Sequence, residues 1–279
     1  MSFNMRGFLS PDLDQWREKV RAGFPKRFAI LDQVSDLGQL CLNEMCAPPR
    51  DKVNHTKNLL TCALLSRLLQ LFQGSIINVE RGMVTNARTL MRSGFETLFF
   101  FGASIFVEDF FTIAMQDHKH QQDKLLRMHI EAMRNDPEAA ATIVALEKAR
   151  AYVEEQLKEY EAKEAGFWNI AKMAGMTKVY DTYYRGLSTD SAHVNIWSLM
   201  NIFDAETGGI KIGPAVGDYE DTLNVTIVLG VTLVEVANHL IKSGEIAKAW
   251  RPLHDRAMEL MPTKPIPDPP SLSDMGRAA

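Results

Sequence analysis

The sequence has few cysteines, no long uncharged run and no marked excess of charge of either sign. Its three cysteines, Cys41, Cys46 and Cys62, are an odd number without a C-x-x-C pair, which indicates reduced thiols. Uncharged runs reach about thirteen residues, whereas a membrane-spanning helix needs about twenty. The first ten residues lack the basic start and apolar run of a signal peptide. We therefore expect a cytoplasmic protein that does not span a membrane.

The charge balance excludes further classes of protein. The 279 residues carry 35 acidic and 31 basic side chains, so the formal net charge is −4. This balance excludes a polybasic chain that binds nucleic acid through charge alone. Hydrophobic residues make up 46% and charged residues 24% of the chain. These fractions exclude a disordered or collagen-like chain and are typical of a globular protein.

Proline marks the only strong shift in composition along the chain. Five of the twelve prolines lie in the last eighteen residues, whereas no Pro/Gly/Ser-rich run interrupts residues 54–261. The composition predicts N-terminal helices over residues 1–53 packed on the body, a helical bundle over residues 54–261, and a Pro-rich disordered tail over residues 262–279.

Apolar residues recur every three or four positions along most of the chain, which predicts an all-α multi-helix bundle. A first helix ends before Pro48, and Gly82 marks a break between two long helices. One segment differs, because Ile210 and Ile212 alternate between the glycines of Gly208–Gly217, which predicts a short β-hairpin or a loop. The other helices are predicted at His55–Glu80, Met83–Phe106, Asp109–Arg134, Pro137–Lys163, Asp190–Phe203, Asp218–Lys242 and Glu245–Leu260.

A narrow apolar seam on one predicted helix indicates a projecting hairpin. The seam comprises Ile143, Leu146, Val153, Leu157 and Tyr160, with charged residues on the other sides of the helix. Such a seam fits an antiparallel helical hairpin over residues 109–163 better than a core helix. The hairpin is a candidate surface for contact with another protein or for a homodimer.

A polar stripe stands out on the third long helix. Arg88, Arg92 and Glu96 are spaced by four residues, so they share one face within about 80° of arc. The helix then becomes apolar on all sides, which places Arg92 and Glu96 at the mouth of the core. The pair is either a structural ion pair that fixes helix register or part of a binding site.

A second group of chemically active residues follows Val179. Tyr184, Arg185, Ser188 and His193 lie in a stretch that we expect to turn from one helix into the next at Gly186. A neutral His193 in a first helical turn would suit general acid–base chemistry on a phosphodiester, with Arg185 stabilising negative charge. The alternative is a histidine that hydrogen-bonds a neighbouring carbonyl and packs two helices together.

Other candidate sites are weaker. His118 and His120 are about 200° apart on a helix, and His129 is not one turn from either, so no metal or other cofactor is expected. Cys41 and Cys46 are predicted to lie in an apolar face and to serve packing.

Three pieces of the sequence resemble a widespread bacterial family of all-helical proteins of unknown function. They are Arg92-Ser-Gly-Phe-Glu-Thr-Leu98, the stretch from Gly175 to His193 with its Tyr-Arg-x-Leu-Ser…His pattern, and the Gly208–Gly217 loop before a long apolar helix. The resemblance covers roughly residues 55 to 243 and implies a helical bundle.

A more distant resemblance is to the HEPN superfamily, whose members often act as ribonucleases and use an Arg followed after four to six residues by a His. Here seven residues separate Arg185 from His193, and Gly186 replaces the usual polar residue. The resemblance implies metal-independent RNA cleavage, often by dimers, provided that a turn at Gly186–Ser188 brings the two side chains together.

Two classes of function therefore remain open. In the first, His193 is the acid or base and Arg185 clamps the phosphate. Ser188 or Tyr184 orients RNA, while Glu96 holds an arginine in place. In the second, the chain is a non-catalytic binding or regulatory module for a small-molecule ligand or a protein, and the same residues form a structural polar network.

Overall fold

The computed structural model describes residues 6–46, 55–158, 165–191, 203–204, 209–210, 214 and 218–261. The chain is an all-α bundle with one very short β-hairpin, which confirms the predicted fold class. The helices are α1 (Leu13–Gly23), α2 (Pro25–Met45), α3 (His55–Glu80), α4 (Val84–Phe106), α5 (Phe110–Met133), α6 (Ala140–Lys158), α7 (Phe167–Met173), α8 (Thr177–Val179), a π-helical turn (Tyr180–Tyr184), α9 (Arg185–Ser191), α10 (Tyr219–Ile241) and α11 (Gly244–Glu259).

Helix α10 lies at the centre of the bundle. It is apolar on all sides, and Leu223, Ile227 and Val234 are completely buried. A helix of this kind needs neighbours all round, and α2, α3, α4 and α11 supply them. Close approach is possible because α10 carries Gly230, where an added Cβ atom would lie 2.5 Å from a ring carbon of Phe72.

Within the described part of the chain, two helices are long and apolar enough to cross a membrane by length and composition, namely Asn58–Glu80 and Tyr219–Ile241. In the bundle, 39% of the apolar window of the first and 67% of that of the second is buried against other helices. The core helix of a soluble protein passes the same test. The cytoplasmic location and the absence of a membrane span therefore stay predictions.

The N-terminal helices pack on the body, and a buried carboxylate ties them to it. The side chain of Glu80, at the end of α3, is only 5% exposed. It accepts hydrogen bonds from Arg17, at 2.7 Å, and from Arg21, both on α1. A buried carboxylate needs partners that compensate its charge, and Arg17 and Arg21 are those partners. Residues of α2 such as Leu31 belong to the same apolar core as α10.

The predicted helical hairpin is present. Helices α5 and α6 pack against each other, and the turn between them begins at Asp136, whose carboxylate accepts a hydrogen bond from the backbone of Glu138 at 2.9 Å. Buried Asp123 on α5 binds Arg150 on α6, also at 2.9 Å. The predicted seam faces α5, and its member Val153 is buried there. Tyr160 lies outside the described residues.

The structure corrects two predictions of local structure. Phe203–Asp204 pairs antiparallel with Gly209–Ile210, so Phe203 lies in a strand and not at the end of the predicted helix. Only one strand of the hairpin therefore comes from Gly208–Gly217, and Ile212 lies outside the described residues. Cys41 is buried as predicted, but Cys46 is exposed, because α2 ends at Met45.

Substitution of Gly230 by alanine tests the close packing around α10. The added methyl group meets Phe72 and Val34 at under 3 Å, so we expect the free energy of unfolding in urea to fall by about 1–3 kcal/mol. Gly244→Ala is the control, because a Cβ atom there meets no other atom within 4 Å. Equal stability of the two variants would contradict the packing described.

Candidate functional site

The core of the candidate site is an ion pair on α4. Arg92 and Glu96 lie one turn apart, and the Arg92 Nη2 to Glu96 Oε1 distance is 3.1 Å. Their side chains are 28% and 21% exposed, respectively, because the next turns of α4 are buried in the core. The sequence predicted this pair and its position at the mouth of the core.

Tyr184 joins the pair from a different part of the chain. Its hydroxyl group donates a hydrogen bond to Glu96 Oε1 at 2.9 Å, and the Arg92 guanidinium carbon lies 5.9 Å from the centre of its ring. The ring is buried between Phe99 and Tyr180, with centroid distances of 5.8 and 4.9 Å. One carboxylate oxygen of Glu96 thus accepts bonds from both Arg92 and Tyr184.

The surroundings of this cluster favour neutral phenol groups. Burial raises the pKa of Tyr184, and the hydrogen bond to Glu96 and its negative charge raise it further, against a smaller opposing effect of Arg92. Burial, followed by the charge of Asp221, raises the pKa of Tyr183 as well. Both tyrosines are therefore hydrogen-bond donors at neutral pH rather than bases.

One donor in the cluster has no described partner. Arg92 Nε is buried and finds no hydrogen-bond acceptor within the part of the chain that the structure describes. Most buried donors in proteins are paired. An acceptor for Arg92 Nε would therefore come from beyond the described residues.

Arg88 is separate from the cluster, although it lies on the same stripe. Its side chain is 12% exposed and turns toward the start of α10. There Nε donates to Thr222 Oγ1 at 3.1 Å and Nη2 to Asp221 Oδ2 at 3.2 Å, while Asp218 lies 3.7 Å from Nη1. The predicted role of Arg88 in substrate binding is untested, and its described contacts tie α4 to α10.

The sequence reasoning missed these partners on α10. Asp218, Glu220 and Asp221 form an acidic cluster at the N-terminal end of a helix, where negative charge is favourable. That signal was visible, but it does not tell which arginine the acidic residues meet. The sequence also did not indicate the contact of Tyr183, whose ring stacks on that of Phe95 with the centroids 6.2 Å apart.

The stretch from Tyr180 to Ser191 is helical throughout, and this corrects the expected turn at Gly186. A π-helical turn runs directly into α9, so Gly186 lies inside a helix, with no left-handed backbone. Tertiary packing explains the difference, because Tyr184 and Leu187 are buried on the face that this stretch shares with α4. A turn at Gly186–Ser188 that would bring Arg185 and His193 together is therefore absent.

The predicted site residues divide into two groups. Arg92, Glu96 and Tyr184 meet, whereas Arg185 is on the outer side of the helix, 68% exposed, with Asp181 at 3.4 Å. Ser188 is half-buried on α9. His193 lies outside the described residues, so its position relative to Arg185 is untested.

The fold and the cluster define a class of protein, namely an all-helical protein with a half-buried Arg–Glu–Tyr cluster beside a π-helical turn. The model of a family of unknown function, DUF5677, matches residues 58–210, which is 153 of 279 residues. The chain belongs to this family. The resemblance was expected over roughly residues 55 to 243. The family match ends earlier, at residue 210, before α10 begins. No curated protein and no solved structure matched the chain.

Substitution of Gly186 by alanine tests the continuous helix. A Cβ atom at this position meets no other atom within 4 Å, and alanine is favoured over glycine in a helix by about 0.5–1 kcal/mol. We expect the free energy of unfolding to rise by about that amount in urea titration. A fall would indicate that Gly186 has the left-handed backbone of a helix end.

A second prediction concerns the Tyr184–Glu96 hydrogen bond and pH. Tyr184→Phe should lower the free energy of unfolding by about 1 kcal/mol at pH 7. Since the folded-state pKa of Tyr184 is raised, this contribution is complete below the unfolded pKa of about 10. It is lost as the pH rises through the folded value. The difference between wild type and variant should therefore shrink above about pH 10.

The control for this experiment is Tyr152→Phe, since Tyr152 is 65% exposed on the hairpin. We expect this control to change stability by less than about 0.5 kcal/mol at every pH. A wild-type advantage over Tyr184→Phe that stays constant to pH 11 would contradict the assigned hydrogen bond.

Proposed function

We propose that the chain is a metal-independent ribonuclease of the HEPN type, as found in toxin or defence systems. In this proposal Arg185 and His193 act on the RNA, and Arg92, Glu96 and Tyr184 position the helix that carries Arg185. Since no turn at Gly186–Ser188 folds the chain back on Arg185, the two groups act together across the shared cleft of a homodimer. The proposal rests on the Tyr-Arg-x-Leu-Ser…His pattern, together with one structural observation.

That observation is the opposite orientation of two neighbouring residues. Tyr184 is 5% exposed and anchored to Glu96 inside the bundle. Arg185, the next residue, has a side chain that is 68% exposed. The buried tyrosine fixes the backbone, so the guanidinium group is presented outward from a rigid element. An exposed arginine on a backbone held in this way suits bidentate recognition of a phosphate.

The chemistry of this proposal needs no group beyond those of the chain and the RNA. His193 as general base takes the proton of a ribose 2′-hydroxyl, whose oxygen attacks the adjacent phosphorus. Arg185 stabilises the negative charge that develops on the phosphate oxygens. The protonated His193 then gives this proton to the departing 5′-oxygen, which leaves a 2′,3′-cyclic phosphate and a free 5′-hydroxyl group. Ser188, about one helical turn after Arg185, or Tyr184 would orient the substrate in this proposal.

A different observation favours the alternative, a non-catalytic binding or regulatory module. Glu96 binds both Arg92 and Tyr184 through one carboxylate oxygen, as expected of a structural network. In this reading the function lies on the hairpin, as a protein contact or a homodimer. There α5 exposes Leu125 and Met128, three residues apart, beside a groove of about 660 Å³ lined by Lys124, Arg127, Met128, Ile130, Glu131, Arg134 and Arg150.

RNA cleavage without metal ions distinguishes the two functions. We expect wild type to cleave a mixture of single-stranded and structured RNA in EDTA, and His193→Ala and Arg185→Ala to lose at least about a hundredfold in rate. Arg185→Ala should melt within about 2 °C of wild type, because an exposed ion pair contributes little to stability.

Arg134→Ala is the matched control for this assay. Arg134 is 67% exposed and pairs with Glu131 at 3.1 Å, so it has nearly the same surroundings as Arg185. This control should keep full activity. Absence of cleavage by wild type, with a destabilised His193→Ala, would contradict the ribonuclease and support the binding module.

A further inference from the structure

Two of the three cysteines meet where α2 ends beside α3. Cys46 follows the last residue of α2 and is exposed, whereas Cys62 lies in the second turn of α3 and is buried. The thiol of Cys62 donates a hydrogen bond to the carbonyl oxygen of Met45 at 3.3 Å. Since Met45 directly precedes Cys46, this bond holds the two cysteines side by side.

The causes of the pKa shifts agree with this arrangement, because Cys46 affects the pKa of Cys62, whereas neither cysteine affects that of Cys41. Burial, then the hydrogen bond with the thiol of Cys46 and its charge, raise the pKa of Cys62 to about 11. Burial and the nearby charge of Glu44 raise the pKa of Cys41 to about 12. Cys41 is therefore protonated and inaccessible, while Cys46 is exposed to oxidants.

We propose that Cys46 and Cys62 are an oxidisable pair that forms a reversible disulfide between the end of α2 and α3. The bond closes a loop with fifteen residues, 47–61, between the two cysteines. It also joins a helix outside the family-matched segment, which begins at residue 58, to a helix inside it. The proposal is independent of ribonuclease activity.

Each step of the oxidation balances with a peroxide as the oxidant. The thiolate of Cys46 attacks one peroxide oxygen, becomes a sulfenic acid and releases one water after proton transfer. The Cys62 thiol then loses its proton to the sulfenic oxygen as its sulfur attacks the Cys46 sulfur, so the S–S bond forms and the oxygen departs as a second water. A thiol reductant reverses the reaction by exchange through a mixed disulfide. Cys46 is oxidised first because it is exposed, whereas Cys62 is buried and protonated.

Peptide mapping of the full-length protein tests the pair directly. Protein treated with hydrogen peroxide is unfolded, alkylated and digested, and the peptides are identified by mass spectrometry. We expect one linked peptide pair containing Cys46 and Cys62, which a thiol reductant separates. Cys41 should stay alkylatable throughout. Cys41→Ser is the matched control and should form the same link, whereas Cys46→Ser and Cys62→Ser should form none.

The melting temperature supplies a second measurement. A disulfide that closes a loop of this length lowers the entropy of the unfolded chain. We therefore expect oxidation to raise the melting temperature by roughly 5 °C in wild type and in Cys41→Ser, and in neither of the other two variants. A disulfide between two copies of the chain through Cys46 would overturn the proposal. So would irreversible oxidation of Cys46 with Cys62 still alkylatable, or an unchanged melting temperature in a fully linked sample.

Discussion

A helix that is apolar on every side must be surrounded, and this requirement of α10 organises the rest of the bundle. Its side chains from Leu223 to Val234 are buried almost without a break. Helices α2, α3, α4 and α11 pack around it, and glycines allow the closest approaches, at Gly230 against Phe72 and at Gly94 of α4 against Leu229. Although Arg88 bonds to the start of α10, Arg92 and Glu96 face away from that contact and meet Tyr184 on the other side of α4.

The partners on that side explain why the candidate site has two layers. Inside, Glu96 shares one oxygen between Arg92 and Tyr184, so the ion pair of α4 is also the anchor of the π-helical turn. Outside, Arg185 extends from the same helix into solvent beside Asp181. A π-helical turn inserts a residue into the helical register and is found often at functional sites. The buried layer holds the helix against the bundle, and the exposed layer carries the charged Arg185–Asp181 pair.

Most of the fold follows from the sequence because its helices are long and strongly periodic. The helix ends at Gly82 and at Asp136–Pro137 were predicted, since glycine with positive φ and a capping carboxylate before proline are local signals. The helix through Gly186 was missed, because burial of Tyr184 and Leu187 overrides the preference of glycine for a helix end. The local sequence does not reveal that these two side chains are buried, because tertiary packing buries them.

The candidate site was predictable only within single helices. The Arg92–Glu96 pair has a fixed spacing of four residues, so periodicity alone indicated it. The contacts of Glu96 with Tyr184 and of Arg88 with Asp221 join residues 88 and 133 positions apart. Such contacts depend on how helices cross. No pattern in one sequence fixes that geometry to the precision of a hydrogen bond.

A double-mutant cycle on Glu96 and Tyr184 tests the central claim, that a shared carboxylate anchors the helix carrying Arg185. The free energy of unfolding is measured for wild type, Glu96→Ala, Tyr184→Phe and the double variant. The account predicts that the double variant is more stable than the sum of the single effects requires, by about 0.5–3 kcal/mol. Additive effects within about 0.3 kcal/mol would show that the two residues act independently and would contradict the account.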